Sequence, residues 1–198
     1  LLGLDTVKTL VLYSGVFSEL HPFETNSFST NFLWRHSMAV AAYAKKIAQE
    51  EFASKEIIEE AFIAGFLHDV GKLLLFSTVR DKFIEAMEVA HTEHLTHNQA
   101  EYRILNASHG EAGAYLLGIW GLPGAIVETV AFHHLLDKYP NPNFCTALIV
   151  HSADIIDHLL NPHQHYQSSV LNVDYLNKAG KIDRFSHWLE SCRQLDIP

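Results

Sequence analysis

The stretch FIAGFLHDVGKLLLF, residues 62–76, sets an adjacent imidazole and carboxylate, His68 and Asp69, inside an apolar run, with Lys72 three residues further on. No other feature limits the fold of this chain as severely. A buried carboxylate without a partner costs several kcal/mol, so the fold must carry other polar side chains to this point. Taken alone, the stretch reads either as a metal site or as a polar remnant that only holds a helix corner. Neighbours on a regular helix point about 100° apart, so His68 and Asp69 can reach one ion only near a helix end or bend. Gly71 is read as the residue that supplies such an ending.

The remaining pattern is helical nearly throughout. Residues 4–20 mix apolar and polar positions with helical period, and HPFETNSFST (21–30) reads as a loop. Ser29 or Thr30 is the expected N-cap of a helix from about 31 to 52, and Ser54 that of a helix over 55–67. An apolar turn follows to about Val79, then an amphipathic helix over 81–93 and a short one in HNQAEYRILN. His109, Ala112, Gly113, Leu116, Leu117 and Trp120 form an apolar stripe over 109–120. Pro123 suits the first turn of a helix over 123–135. A helix is expected at about 143–160, then a polar loop over 161–169 and one or two helices ending near Leu195. No stretch alternates as a strand does, so the fold class is all-α, a compact helical bundle.

Histidine is the unusual count: 14, as many as Lys and Arg together. His36 lies on the stripe His36, Val40, Tyr43, Ile47, where a lone inward imidazole is commonly a satisfied core residue. His109 could be a plain first-turn residue behind an N-cap Ser108. The doublet His133-His134 at a helix C-terminus has a dipole explanation, and Lys72 one as a solvated helix-terminal cation. Asp154 shares a face with Ala147, His151 and His158 on an otherwise apolar helix and needs a partner; those two histidines read as ligands or as surface residues. Each residue has a dull account. Together they set His, His-Asp, His, His-His and Asp on successive helical faces, a donor set suited to a borderline divalent ion.

Bulk properties exclude some classes. The formal net charge of −9, with no basic stripe, argues against duplex nucleic acid. The longest apolar runs are interrupted within a few residues, so no membrane span is expected. Cys145 and Cys192 form no CxxC pair, which points to a reducing, cytoplasmic setting. The chain opens LLGLDTVKTL without Met and is read as a fragment.

The order His36, His68-Asp69, Asp154 resembles that of the HD metal-dependent phosphohydrolases. The segments LGLDTVKTLVL, LWRHSMAVAAYAKKIA, EEAFIAGFLHDVGKLLL, HGEAGAYLLGIWGLPGAIVETVAFHH and IVHSADIIDHL are closer still to the HDOD subgroup, the HD-related output domains of bacterial signalling. The resemblance covers most of residues 1–160, expected as one domain whose N-terminal helices are missing. Residues 161–198 are expected as a helical extension packed on it. It implies an HD-type bundle with a central metal pocket. His36, His68, Asp69 and Asp154 would hold a first ion. Asp69 would bridge to a second, held with His109 and one or both of His133 and His134.

The ions implied are one or two divalent metals among Fe, Mn, Mg, Ni and Zn. A metal-activated water would attack the phosphorus of a phosphate ester or nucleotide, with Asp69 and Lys72 as catalytic residues. The alternative implied by the same subgroup is a non-catalytic regulatory module that binds signalling proteins and keeps a vestigial or structural ion. Two departures bear on the substrate. The related cyclic-diguanylate phosphodiesterases carry a GYP signature after the His doublet, where this chain has HHLLDKYPNPN with only Tyr139-Pro140 in common. Position 32, where a third-metal Glu would fall by spacing, is Phe32.

Overall fold

The computed structural model describes residues 23–25, 27–139, 143–162 and 170–197; the expected helix over 4–20 lies outside them. The described residues form helices α1 (Thr30–Glu50), α2 (Lys55–Leu67), α3 (Val70–Thr78), α4 (Arg80–Glu93), α5 (His97–Leu105), α6 (His109–Ile119), α7 (Gly124–Phe132), α8 (Thr146–Leu160), α9 (Val173–Lys178) and α10 (Phe185–Arg193), with two 3₁₀ turns. The only extended pairing among them is an isolated bridge between Glu24 and Ser29. The fold is all-α.

The helix starts follow local chemistry. Ser29, Ser54 and Ser108 accept from the backbone N–H of Phe32, Ile57 and Glu111, which satisfies one otherwise orphan donor at each N-terminus. Thr96-Gln99 and Ser108-Glu111 complete capping boxes. Pro123 falls at the N-cap of α7 rather than in its first turn, and that helix stops at Phe132.

Helix α8 is the axis. Every residue from Thr146 to Asp157 is buried, because α1, α2 and α7 all pack against it. Helix α3 packs on α6, and α6 on α7. Polar positions of six helices thereby converge: the middle of α1, the α2–α3 junction, the start of α6, the end of α7 and the inward face of α8.

Gly71 has a different job from the one its sequence position suggests. The chain does break at His68-Asp69, where Asp69 takes φ −101°, ψ 8°. Gly71, however, lies inside α3 rather than at a helix end. A Cβ there would sit 1.8 Å from the backbone oxygen of His109 and 2.7 Å from the N of Gly113. The glycine lets α3 touch α6, and that contact brings Asp69 to His109.

The apolar stripe expected on α6 is only partly inward. Leu117 is fully buried, but Trp120 is 36% exposed. By length and composition alone the span Lys55–Thr78 is apolar enough to cross a membrane, contrary to the sequence expectation. It is two helices with a break, and 72% of its most apolar window is buried in the core.

Candidate metal centre

All seven expected donor residues meet in one buried place. Asp69 stands in the middle. Its Oδ2 is 3.4 Å from His68 Nε2 and 3.7 Å from His36 Nε2, while its Oδ1 is 3.2 Å from His109 Nε2. His36 Nε2 is 3.2 Å from His68 Nε2 and 3.3 Å from Asp154 Oδ1. On the other side, His134 Nε2 is 3.1 Å from His109 Nε2, and the rings of His133 and His134 are 3.9 Å apart at their centroids. Donor atoms of Asp69, His109, His133 and His134 lie within 4.8 Å of one another, as do those of His36, His68 and Asp69.

The histidines are aimed from behind. His36 Nδ1 is 2.6 Å from Asp157 Oδ2, and His109 Nδ1 is 2.6 Å from Glu101 Oε2. His68 Nδ1 donates to the Gly65 carbonyl at 2.7 Å, and His133 Nδ1 to the Val130 carbonyl at 2.8 Å. With Nδ1 engaged in all four, Nε2 is the nitrogen left to face the centre, an orientation typical of metal-bound histidine. Each half of the site thus has one carboxylate-backed and one carbonyl-backed imidazole.

The two carbonyl-backed residues share an origin. His68 and His133 are the C-caps of α2 and α7. Each ring bonds the carbonyl three residues back, an acceptor that a helix end leaves without an intrahelical partner. The same rotation swings Nε2 inward and leaves the next residue, Asp69 or His134, pointing into the same space. The doublet therefore ends α7 as a built corner, which a dipole effect alone does not explain.

Electrostatics fit ligand duty. Burial, reinforced by neighbouring histidines, holds His133 and His134 well below the usual imidazole range, so they stay neutral. Burial likewise lowers His68 to about 4, against the pull of Asp69. Burial works against ionisation of Asp69, but Lys72 and the surrounding histidines override it and hold the carboxyl well below its normal range. Burial also opposes the charge of Asp154, and His158 and His36 override it there. His36 is the exception. Burial lowers its pKa, yet hydrogen bonding to Asp154 and Asp157 prevails and raises it to about 10. In the metal-free protein His36 therefore carries a proton that a cation bound there would have to displace.

The donor set fits a divalent ion. His133 Nε2 and Asp154 Oδ2 are buried and make no hydrogen bond to protein. Each such orphan costs about 1–3 kcal/mol, and both belong to this one cluster. Among the described residues, imidazole and carboxylate with no thiolate suit Fe, Mn, Ni or Zn better than a soft ion.

Lys72 is not a solvated cation. It is 2% exposed, with Nζ 2.7 Å from Asp69 Oδ2. His151 stands apart from the donors: its Nδ1 donates to the His133 carbonyl at 2.7 Å and its Nε2 accepts from Asn172 N at 3.1 Å. Both nitrogens are spent on structure. His158 faces inward, with Nε2 3.3 Å from Asp154 Oδ1. Phe32 lies flat over His36, centroids 6.0 Å apart.

Sequence reasoning missed the supporting carboxylates Asp157 and Glu101 and the buried His97. The first had a signal: Asp154, Asp157, His158 and Asn161 recur at helical spacing. Glu101 follows His97 by four residues on a short helix, so both lie on one face.

The described donors are 0–2% exposed apart from His134 and His158, whose side chains are 12% and 7% exposed. These two are the most exposed of the donors. A cavity of about 740 Å³ touches His36 and Asp157, but none of the other donors, and is also lined by Phe32, Arg35 and Arg193.

Comparison with known proteins gives a consistent picture. The HDOD domain family matches residues 1–136. An HDOD domain protein of unknown function from Geobacter sulfurreducens superposes with a TM-score of 0.66 at 22% identity, covering 99% of this chain and 72% of that one. A candidate phosphohydrolase from Shewanella amazonensis gives 0.60 at 22% identity, covering 98% and 74%. A candidate metal-dependent phosphohydrolase from the same organism gives 0.53 at 17% identity, covering 96% and 70%. At such identities the likeness establishes the fold. An uncharacterised protein of Treponema pallidum is 25% identical over 108 residues, 54% of this chain, and the match spans about a fifth (21%) of that protein's length.

Proposed function

Because the chain belongs to the HDOD family, we propose that its buried centre holds one or two divalent ions and hydrolyses a phosphate ester or nucleotide. The observation that carries this reading is Asp69, whose two oxygens face two separate sets of imidazole nitrogens. His36, His68, Asp69 and Asp154 would hold one ion; Asp69, His109, His133 and His134 would hold the other. Bound there, a divalent ion supplies Lewis acidity and lowers the pKa of a water molecule toward neutrality.

The chain's own residues set the conditions for that chemistry. Lys72 keeps Asp69 ionised and oriented, and its buried ammonium adds positive charge beside the place where a phosphoryl group would sit. Asp157 and Glu101 fix the ring orientation of His36 and His109. The apolar surroundings of α2, α3 and α8 exclude bulk water, which strengthens every charge interaction inside. His134 and His158 are the centre's most exposed donors. The net charge of −9 argues against duplex nucleic acid as a substrate, and a small phosphorylated substrate in a cytoplasmic signalling setting is part of the same reading.

Metal analysis of the purified protein tests this, followed by a phosphodiesterase and phosphatase screen with Mn(II) or Fe(II). The reading expects stoichiometric metal and turnover that vanishes in Asp69→Ala. No bound metal after loading sinks it.

A second reading rests on a specific observation, the near-complete closure of the centre. A site whose donors are almost all sealed suits a structural ion in a regulatory module that binds signalling proteins. It predicts that Asp69→Ala leaves partner binding and the signalling phenotype intact while abolishing any residual hydrolysis.

A further inference from the structure

We propose that His158 is an additional ligand of the ion held by His36, His68, Asp69 and Asp154, so that the two metal positions are unequal. The inference rests on the metal-centre reading above and deepens it.

His158 stands one helical turn beyond Asp154 on α8, so the two side chains share the inward face. Its Nε2 is 3.3 Å from Asp154 Oδ1. That same oxygen is 3.3 Å from His36 Nε2. Donor atoms of His36, Asp154 and His158 all lie within 4.8 Å of one another. Bonds of roughly 2 Å to a shared ion place neighbouring donors about 3–4 Å apart, the spacing seen here. The His36 and His158 rings are 5.0 Å apart at their centroids, and the His158 side chain is only 7% exposed.

Asp154 already makes the two positions unequal in charge; His158 makes them unequal in room as well. One position then has two carboxylates, Asp69 and Asp154, and three imidazoles, His36, His68 and His158. The other has Asp69 alone with His109, His133 and His134. Five protein donors leave one position of an octahedron; four leave two. The His158 side is the harder, more anionic and more completely filled position. The His133-His134 side has the same three imidazoles with one carboxylate fewer and is the more open one, and a borderline metal such as Zn or Ni favours it over Mg.

The rival role for His158 is to hydrogen-bond Asp154 and nothing more. His158→Gln separates the two, since an amide still donates to Asp154 but offers no imidazole nitrogen. Co(II) alone serves as the probe, added to the full chain and followed by its visible absorption and by competition with a chelator. Wild type should bind in two resolvable steps. His158→Ala and His158→Gln should both weaken one step by at least about tenfold, the loss that even outer-sphere changes bring, and should change the spectrum of that step only. Wild-type affinities and spectra in both variants overturn the inference, as does recovery in the Gln variant. If wild type binds no Co(II), the metal-centre reading fails together with it; if only the variants behave as wild type, His158 alone is misassigned. A thermal melt of each variant separates lost ligation from lost folding.

Discussion

At the residue scale, the centre is made by pairs of contacts around each ring. His151 illustrates how the same residue type on the same helix face can have an entirely structural role. It joins the end of α7 to the chain before α9 through the His133 carbonyl and Asn172 N. His151→Ala leaves both groups without a partner and should cost about 1–3 kcal/mol in chemical denaturation, with metal stoichiometry unchanged. Loss of metal without loss of stability would reverse that assignment. Gly71 is the most demanding single position. Its missing Cβ is needed against backbone, not against a flexible side chain. Gly71→Ala must push α3 off α6, which should cost at least about 2–3 kcal/mol, in the range of overpacked cores. Near-native stability would show that the helices can part cheaply.

At the element scale, the corners matter more than the helix bodies. The ends of α2 and α7 supply four of the seven expected donors because a C-cap histidine turns its own ring and its successor into the same space. A second corner fastens the C-terminal helices. Glu51, just after α1, accepts from Lys181 Nζ at 2.6 Å, Arg184 Nε at 2.6 Å and Trp188 Nε1 at 2.9 Å. Burial works against its charge, but these three donors prevail and lower its pKa to about 2. A depressed carboxyl stabilises the fold above its unfolded value of 4.5, and that contribution drains away as pH falls from there toward 2. With allowance for solvent screening the contribution is on the order of 2 kcal/mol. Glu51→Gln should therefore lose about that much stability at pH 7, and the gap to wild type should close as pH drops below 4. A gap independent of pH would assign the loss to packing instead.

At the scale of the whole molecule, local chemistry was readable and long-range pairing was not. Ser29, Ser54 and Ser108 announced their helices because an N-cap bonds a backbone N–H three residues away. The HDOD pattern pointed to seven residues that the fold brings together around Asp69. Asp157 and Glu101 escaped because their partners are set by the fold: Asp157 lies 121 residues from His36. Trp120 escaped for the opposite reason. Its helical spacing matches the apolar stripe, but α6 ends at Ile119 and the indole comes out partly into solvent. Gly71 showed both effects, since the break beside it was legible while the close approach of α6 was not.

The central claim is that distant polar residues meet at Asp69 to hold metal. Crystals of the full chain loaded with Mn(II), with diffraction recorded on both sides of the manganese absorption edge, test it most directly. The account predicts anomalous density beside Asp69 Oδ2 among His36, His68 and Asp154, and a second peak beside Oδ1 near His109 and His133. Absence of any anomalous peak within the cluster, with Lys72 still bonded to Asp69 and His36 still bridging two carboxylates, would contradict it.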